Sequence, residues 1–369
     1  MYYGRWTYKY EIAAKLGAAG VIIIHTDHSA GYPWQVVQTS WTGPQFELPN
    51  EGEPTLEVKG WMSNASMSDL LARAGQNLDS LRQQARSRDF QPVNIAITTD
   101  MTLPITITTN TSANVLARLP GSDLSDEVIV YTAHHDHLGI GVANSPDEDV
   151  IYNGALDNAT GVASVLAISK AFTQLPSTTK RSVLFAFVGA EEQGLLGSKY
   201  LAQHPPVAAG KIAAAINMDG AQINGRSLDI SYVGFGRSTI DQAAQKAADL
   251  QGRVIKGDQN PSKGYFYRSD HFSLAKIGVP SLNFKGGEDL RNGGIEAGKA
   301  FNEIYTNKNY HQPSDEITSD WLFDGMVEDA QFGFYTGWVL ANQTKFPAWY
   351  AGDEFEAARL AALKAIEVL

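Results

Sequence analysis

Six residues between Ala133 and Pro313 carry side chains that bind metal ions or move protons: His134, Asp157, Glu191, Glu192, Asp219 and His311. They stand in five short blocks: Ala133-His134-His135-Asp136-His137, Gly154-Ala155-Leu156-Asp157-Asn158, Ala190-Glu191-Glu192, Asn217-Met218-Asp219-Gly220 and Tyr310-His311-Gln312-Pro313. Two histidines, two aspartates and one glutamate suffice for two divalent cations when one aspartate bridges them. Glu191, the remaining glutamate, is then free to take a proton from water. Such a set is equipped to hydrolyse a peptide bond or a chemically similar one.

Any one of these residues alone is as easily structural, and its neighbours decide. His134 and Asp136 are two apart at a strand end, so their side chains share a face. The Asp136 carboxylate is expected to accept the free imidazole proton of His134 and orient the ring. His135 and His137 have the same spacing without that partner, which makes His134 the better ligand. Asp157-Asn158, taken alone, reads as a helix-capping turn, but two carboxylate oxygens also allow one residue to serve two cations. Glutamate pairs are common at helix starts; Glu191-Glu192 instead follows a fully apolar strand, where adjacent carboxylates are costly unless charge compensates them. Asp315 is near enough in sequence to be the hydrogen-bond partner of His311. The Tyr310 hydroxyl is a candidate oxyanion donor, although tyrosine beside a loop histidine usually packs. His25, His28, His204 and His271 have no comparable setting and read as structural or surface residues.

The elements that must position these blocks follow from hydrophobic patterning. Residues 105–345 alternate strand-like and helix-like segments. Strands are expected at Val128–Thr132, Ser182–Val188, Ile212–Ile216, Leu228–Val233 and Ser281–Phe284, with helices at Ala159–Phe172, Gly194–Ala202, Ser238–Leu250 and Ser319–Leu340. Such alternation predicts an α/β fold, a mostly parallel mixed sheet sandwiched by helices. His134, Glu191, Glu192 and Asp219 each lie just past a strand, and open α/β sheets bind ligands outside the carboxyl ends of their strands. Asp157 precedes a helix start, where the helix dipole favours a carboxylate. The first hundred residues differ: Tyr8–Leu16 and Ser68–Arg86 read as helices, Val21–His25 as a strand, and a Gly- and Pro-rich stretch runs through Pro54. The expected division is 1–101 and 102–369.

Composition narrows the function class. The chain has 369 residues, 43% hydrophobic, enough for a large core, and a net charge of −11 that speaks against a nucleic-acid partner. No run approaches the roughly 18–20 apolar residues of a membrane span. Cysteine is absent, which excludes disulfides, thiolate metal sites and cysteine nucleophiles. Met1-Tyr2-Tyr3-Gly4-Arg5-Trp6 has no secretion-signal pattern. The expected location is secreted or periplasmic with the leader absent, a cytoplasmic one remaining open.

Together the blocks, continued through Leu138-Gly139, Ala159-Thr160-Gly161, Gln193-Gly194-Leu195-Leu196-Gly197-Ser198 and Ser314-Asp315, resemble the di-zinc exopeptidase family of bacterial aminopeptidases, aminopeptidase Y and glutamate carboxypeptidases. The resemblance covers about residues 102–345 in the family's order. Ala13–His25 resembles part of a protease-associated domain, a smaller α/β insertion in many members. The resemblance implies one zinc held by His134, Asp157 and Asp219 and a second held by Asp157, Glu192 and His311. It also implies Glu191 as general base, Tyr310 as oxyanion donor and a cis peptide between Asp157 and Asn158. Because members with the insertion begin with catalytic-domain helices, both pieces are expected to be truncated.

The expected activity is that of a metal-dependent exopeptidase, an aminopeptidase first of all, acting on a peptide or amino-acid amide. Water between two zinc ions becomes acidic enough for Glu191 to deprotonate it. Glu191 and Asp219 could hold the substrate ammonium, and Tyr265, Phe266, Tyr267 and Phe284 could line an apolar pocket or simply pack the core. A glutamate-type carboxypeptidase or dipeptidase is the near alternative; the carboxypeptidase needs an arginine cluster, for which Arg226, Arg237, Arg268 and Arg291 are candidates. A receptor-like ectodomain without catalysis and a one-metal glutaminyl cyclase are further alternatives, and both fit poorly with a full ligand set. Cobalt or manganese could replace zinc. Oligomeric state is not legible.

Overall fold

The computed structural model describes residues 2–143 and 145–367. The chain divides into two compact units, one comprising Met1–Tyr2, Gln38–Asn50 and Ala113–Leu369, the other Tyr3–Val37 and Glu51–Ser112. Segment Gln38–Asn50 thus groups with the larger unit, not with the rest of the N-terminal hundred residues.

The smaller unit is built on two parallel strands, Gly20–His25 (β1) and Val58–Ser63 (β2). Helix Trp6–Lys15 packs on them through Tyr10 and Ala14, which share a small core with Ile23 and Leu56. The single helix expected over Ser68–Arg86 is two, Asn64–Arg73 and Leu78–Gln84, with left-handed Gly75 between them. Ile95–Thr99 forms no strand.

The larger unit has an α/β fold around a seven-stranded mixed sheet. Its strands are Val115–Leu119 (β3), Leu124–His134 (β4), Arg181–Val188 (β7), Ile212–Asn217 (β8), Asp229–Val233 (β9), Val254–Gly257 (β10) and Ser281–Gly286 (β11), in the order β10-β9-β11-β8-β4-β7-β3. A small hairpin of Gly139–Ile140 (β5) and Ile151–Tyr152 (β6) stands apart. Strands β7, β4, β8 and β11 run parallel, whereas β3 against β7 and β9 against β11 are antiparallel. Strand β8 is buried along its whole length, the mark of a strand covered on both faces. The expected strands and helices are present with boundaries shifted by a few residues. Strands β3 and β10 were not legible, because Arg118 interrupts the five-residue Val115–Leu119 run and β10 is only four residues long.

Helix Thr160–Thr173 presents Gly161, Ser164, Val165, Ile168 and Phe172 on one buried stripe, the three- and four-residue spacing of an α-helix facing a core. Helix Phe323–Asn342 approaches the sheet closely enough that Tyr131 donates its hydroxyl to the Gly333 carbonyl at 2.8 Å. A Cβ at Gly337 would stand 1.7 Å from that hydroxyl, so only glycine permits this contact.

His271 opens helix His271–Lys276 and is fully buried, edge-on to Phe266 at 4.8 Å. Burial, reinforced by the Arg237 charge, lowers its pKa from 6.5 to about 3. The unfolded chain therefore takes up a proton that the folded chain refuses, and stability present above pH 6.5 is lost as pH falls toward 3. His271→Leu is expected to flatten this dependence in urea unfolding, by at most about 1.4 kcal/mol per pH unit. An unchanged slope would assign the acid limb to other groups.

Candidate metal centre

Register alone brings three of the sequence blocks together. His134 ends β4 level with Val188 of β7, and Thr132 stands level with Asn217 at the end of β8. Adjacent strands lie about 4.8 Å apart, so the chains leaving these three ends share one small volume. Each exit is then bent inward. Ala190 adopts a left-handed φ of 54°, and the Asp136 carboxylate accepts its N–H at 2.6 Å. The bend aims Glu191 and Glu192 back over the strand ends.

Asp157 arrives from the turn before helix Thr160–Thr173, across a cis Asp157–Asn158 peptide, as the resemblance implies. Asn158 fastens this turn to the β8 exit. Its Nδ2 donates to the Met218 carbonyl at 3.0 Å, and its Oδ1 accepts the N–H groups of Gly161 and Gly220 at 3.0 and 2.9 Å. A Cβ on Gly161 would lie 2.1 Å from that Oδ1, so glycine is required at this approach. The His311 loop is tied to the same turn: Asp315 accepts the N–H of Leu156 at 3.0 Å and of Asp157 at 3.1 Å.

Asp157 stands at the centre. One oxygen faces His134 Nε2 at 3.1 Å and the other faces His311 Nε2 at 3.4 Å. His134 Nε2 also meets Asp219 Oδ1 at 3.3 Å, and His311 Nε2 meets Glu192 Oε2 at 3.1 Å. His137 Nδ1 lies 2.8 Å from Glu192 Oε1, with its ring edge-on to His311 at 5.4 Å. Glu191 groups with His134 and Glu192 at metal-binding distances.

Electrostatics separate the two adjacent glutamates. Burial pushes the Glu192 carboxyl up, yet the His311 and His137 imidazoles bring it down to about 2. Asp157 is held well below its ordinary value by His134 and His311 against the same burial. Burial raises Glu191 well above the carboxylate range, with the Glu192, Asp219 and Asp270 charges adding to it and His134 opposing. His311 is pulled down by burial but driven to about 10 by Glu192 and Asp157.

The residues fit bound metal cations. Glu192 Oε1, His311 Nε2 and both His137 nitrogens are buried with no well-formed hydrogen bond, although a carboxylate or imidazole lies beside them. Converging, poorly hydrogen-bonded carboxylates and imidazoles demand positive charge between them. Nitrogen and oxygen donors in this mixture suit zinc.

The pattern of peptidase family M28 matches residues 114–332, more than half of the chain. The chain belongs to peptidase family M28. Aminopeptidase YwaD of Bacillus subtilis is 28% identical over 181 residues, 49% of this chain and 32% of that protein. A protein named "Probable zinc metalloprotease" from Pyrenophora teres f. teres is 25% identical over 270 residues, 66% of this chain and 53% of its own length. The chain thus spans roughly a third to a half of the curated relatives it matches. Among solved structures, the aminopeptidase from Aneurinibacillus sp. strain AM-1 shares the fold, with a TM-score of 0.52 and 20% identity over 93% of this chain and 68% of that one.

Within this M28 chain, three sequence expectations need correction. The Asp136 carboxylate holds the Ala190 N–H, and it is the Asp136 carbonyl that meets His134 Nδ1 at 2.9 Å. The strand ends at His134, so the alternation that would have put both side chains on one face no longer applies. Asp315 holds the Asp157 turn, whereas His311 Nδ1 lies 2.6 Å from Ser40 Oγ. Phe266, Tyr267 and Phe284 are core residues, which leaves only Tyr265 of the proposed pocket with an accessible ring. Tyr310 packs its ring 4.0 Å from that of His311. His25 and His204 belong elsewhere, the one paired with Asp27 and the other packed at a tilt against Tyr200.

Sequence reading passed over several members of the site. His137 was in plain view within its block but lost to His134 on spacing. Ser269, which donates to Asp219 Oδ2 at 2.5 Å, and Ser40 carry no local signal. Asp270 is fully buried near His134 and Asp219, and burial raises its carboxyl to about 7.

Because the Asp315 carboxylate takes two backbone N–H groups that fix Asp157, Asp315→Ala should destabilise the fold by about 1.5–3 kcal/mol in urea unfolding. Metal affinity should fall with it, by roughly 10–100-fold in a chelator competition. Full metal affinity in the variant would show that the turn holds Asp157 without this carboxylate.

Proposed function

We propose that this chain is the catalytic part of a zinc-dependent exopeptidase, most specifically an aminopeptidase. The observation that carries the reading is Asp157, whose two oxygens face two different imidazoles. That is the geometry of a bridging ligand. His134, Asp157 and Asp219 would hold one ion, and Asp157, Glu192 and His311 the other, with His137 beside Glu192. Two zinc ions bound there would supply Lewis acidity toward a carbonyl oxygen and bring the pKa of water close to neutrality.

The remaining chemistry belongs to the protein. Glu191 is buried, and that burial holds its carboxyl well above the ordinary carboxylate value while its neighbour Glu192 is lowered, the environment of a proton carrier rather than a ligand. It takes a proton from the attacking water and returns it to the leaving nitrogen, one group acting as base and then acid. Tyr310, whose ring packs tilted against His311, is the proposed donor to the oxyanion. Glu191 and Asp219 offer negative charge to a free substrate ammonium group.

An aminopeptidase is favoured over a glutamate-type carboxypeptidase by where the four candidate arginines sit. Arg237 pairs with Asp353 and Glu354, Arg291 with Glu328 and Arg226 with Asp324, while Arg268 donates to the Lys263 carbonyl. Each is already engaged by an acceptor of the protein itself, and the two that adjoin, Arg226 and Arg291, are turned to carboxylates of helix Phe323–Asn342, which speaks against a free carboxylate-binding cluster. The name of the Bacillus subtilis relative agrees with this preference. The smaller unit is read as protease-associated-like, on the helix-to-strand segment Ala13–His25.

Amino-acid anilides should be cleaved, amino-blocked dipeptides should not, and a chelator should abolish turnover. Preferential cleavage of the blocked dipeptide would instead select the carboxypeptidase. Glu191→Gln should lower kcat by roughly 10²–10⁴-fold or more while zinc content stays near that of the parent. Retained turnover in that variant would remove Glu191 from the proton-transfer role.

A further inference from the structure

Ser40 lies on helix Trp34–Trp41, and its hydroxyl is 2.6 Å from His311 Nδ1 across 271 residues of sequence. Both side chains are buried. A neutral imidazole carries one proton and one lone pair, so the partner of one nitrogen decides what the other can do. With Nδ1–H donating to Ser40 Oγ, the lone pair of Nε2 points to Asp157 and Glu192. The His134 ring is held in the same sense by a different acceptor, the Asp136 carbonyl at 2.9 Å. The carbonyl, which can only accept, fixes the His134 tautomer, and the Ser40 hydroxyl is placed to accept from His311 in the same sense.

His311 also needs such a tie for a backbone reason. Its φ is 57°, a left-handed conformation that is unfavourable for residues other than glycine and must be held by contacts elsewhere. The stretch that follows Ser40 touches the other ligand-bearing loop: Phe46 N–H donates to Gln193 Oε1 at 3.2 Å, next to Glu192. One segment, Gln38–Asn50, therefore contacts two of the three loops that supply the second ion's ligands.

We infer that Ser40 is a positioning residue for His311, making the Asp157–Glu192–His311 position depend on a segment far upstream of the catalytic blocks. The inference rests on the metal-site reading above. Its test is a zinc competition against chelators of graded strength, using the full chain, Ser40→Ala and Ser40→Thr. Ser40→Ala should weaken one of the two zinc sites by roughly 10–100-fold, leave the other nearly unchanged, and be largely rescued by Ser40→Thr. Unchanged affinities in Ser40→Ala would overturn the inference, as would equal weakening of both sites with a lowered Tm, which marks a purely structural role. Should Ser40→Ala not fold, nitrogen NMR of the unaltered zinc-loaded chain decides: a slowly exchanging His311 Nδ1–H supports the role, and an unprotonated Nδ1 refutes it. An unaltered chain that takes up no zinc would overturn the site reading itself, and this inference with it.

Discussion

Four carboxylates, those of Asp157, Glu191, Glu192 and Asp219, crowd the ends of three parallel strands in a buried to half-buried volume. Anions at such spacing repel one another, and burial strips away the solvent that would screen them. The rest of the larger unit can be understood as the means of tolerating this concentration of charge. Two imidazoles are interleaved with the carboxylates, with a third beside Glu192. Without metal, protons on these rings balance the charge, which is why His134 and His311 rise while Asp157 and Glu192 fall. Cations replace those protons naturally. Glu191 escapes the compensation its neighbour receives, and that difference of environment separates a ligand from a proton carrier.

Holding these groups in place requires rigidity that loops do not have by themselves. The structure supplies it by cross-tying each loop to another. Asn158 joins the Asp157 turn to the β8 exit, Asp315 joins the His311 loop to the Asp157 turn, and Asp136 joins the β4 exit to the Glu191 bend. Each tie sets a polar side chain, buried at Asn158 and Asp315 and half-buried at Asp136, on backbone groups of another loop. The left-handed backbone at Ala190 and His311 is sustained by the same ties. Stability and site geometry are therefore one problem in this molecule.

Much of this was legible because hydrophobic runs and chemistry-bearing residues alternate in a regular way. Fully apolar segments such as Ser182–Val188 and Ile212–Ile216 announce buried parallel strands, and residues directly after them announce a shared edge. Errors arose where local periodicity stopped being the controlling constraint. The strand rule paired Asp136 with His134, but the strand ends there and the carboxylate turns to Ala190. Proximity paired Asp315 with His311, yet a buried hydroxyl from Ser40 occupies that position. Aromatic residues near the site looked like a pocket, although Phe266, Tyr267 and Phe284 are consumed by the core.

From the order of its residues alone, the chain determines which groups can bind metal, which strands carry them and that they meet at one sheet edge, because periodicity and strand polarity are local properties. Tertiary structure decided which nitrogen faces which oxygen, which carboxylate is a ligand-side neighbour and which a backbone clamp, and that Ser40 belongs to the site. Those choices depend on hydrogen-bond partners brought together from distant segments, and a buried polar group takes whichever partner packing delivers. No spacing in the sequence encodes that delivery.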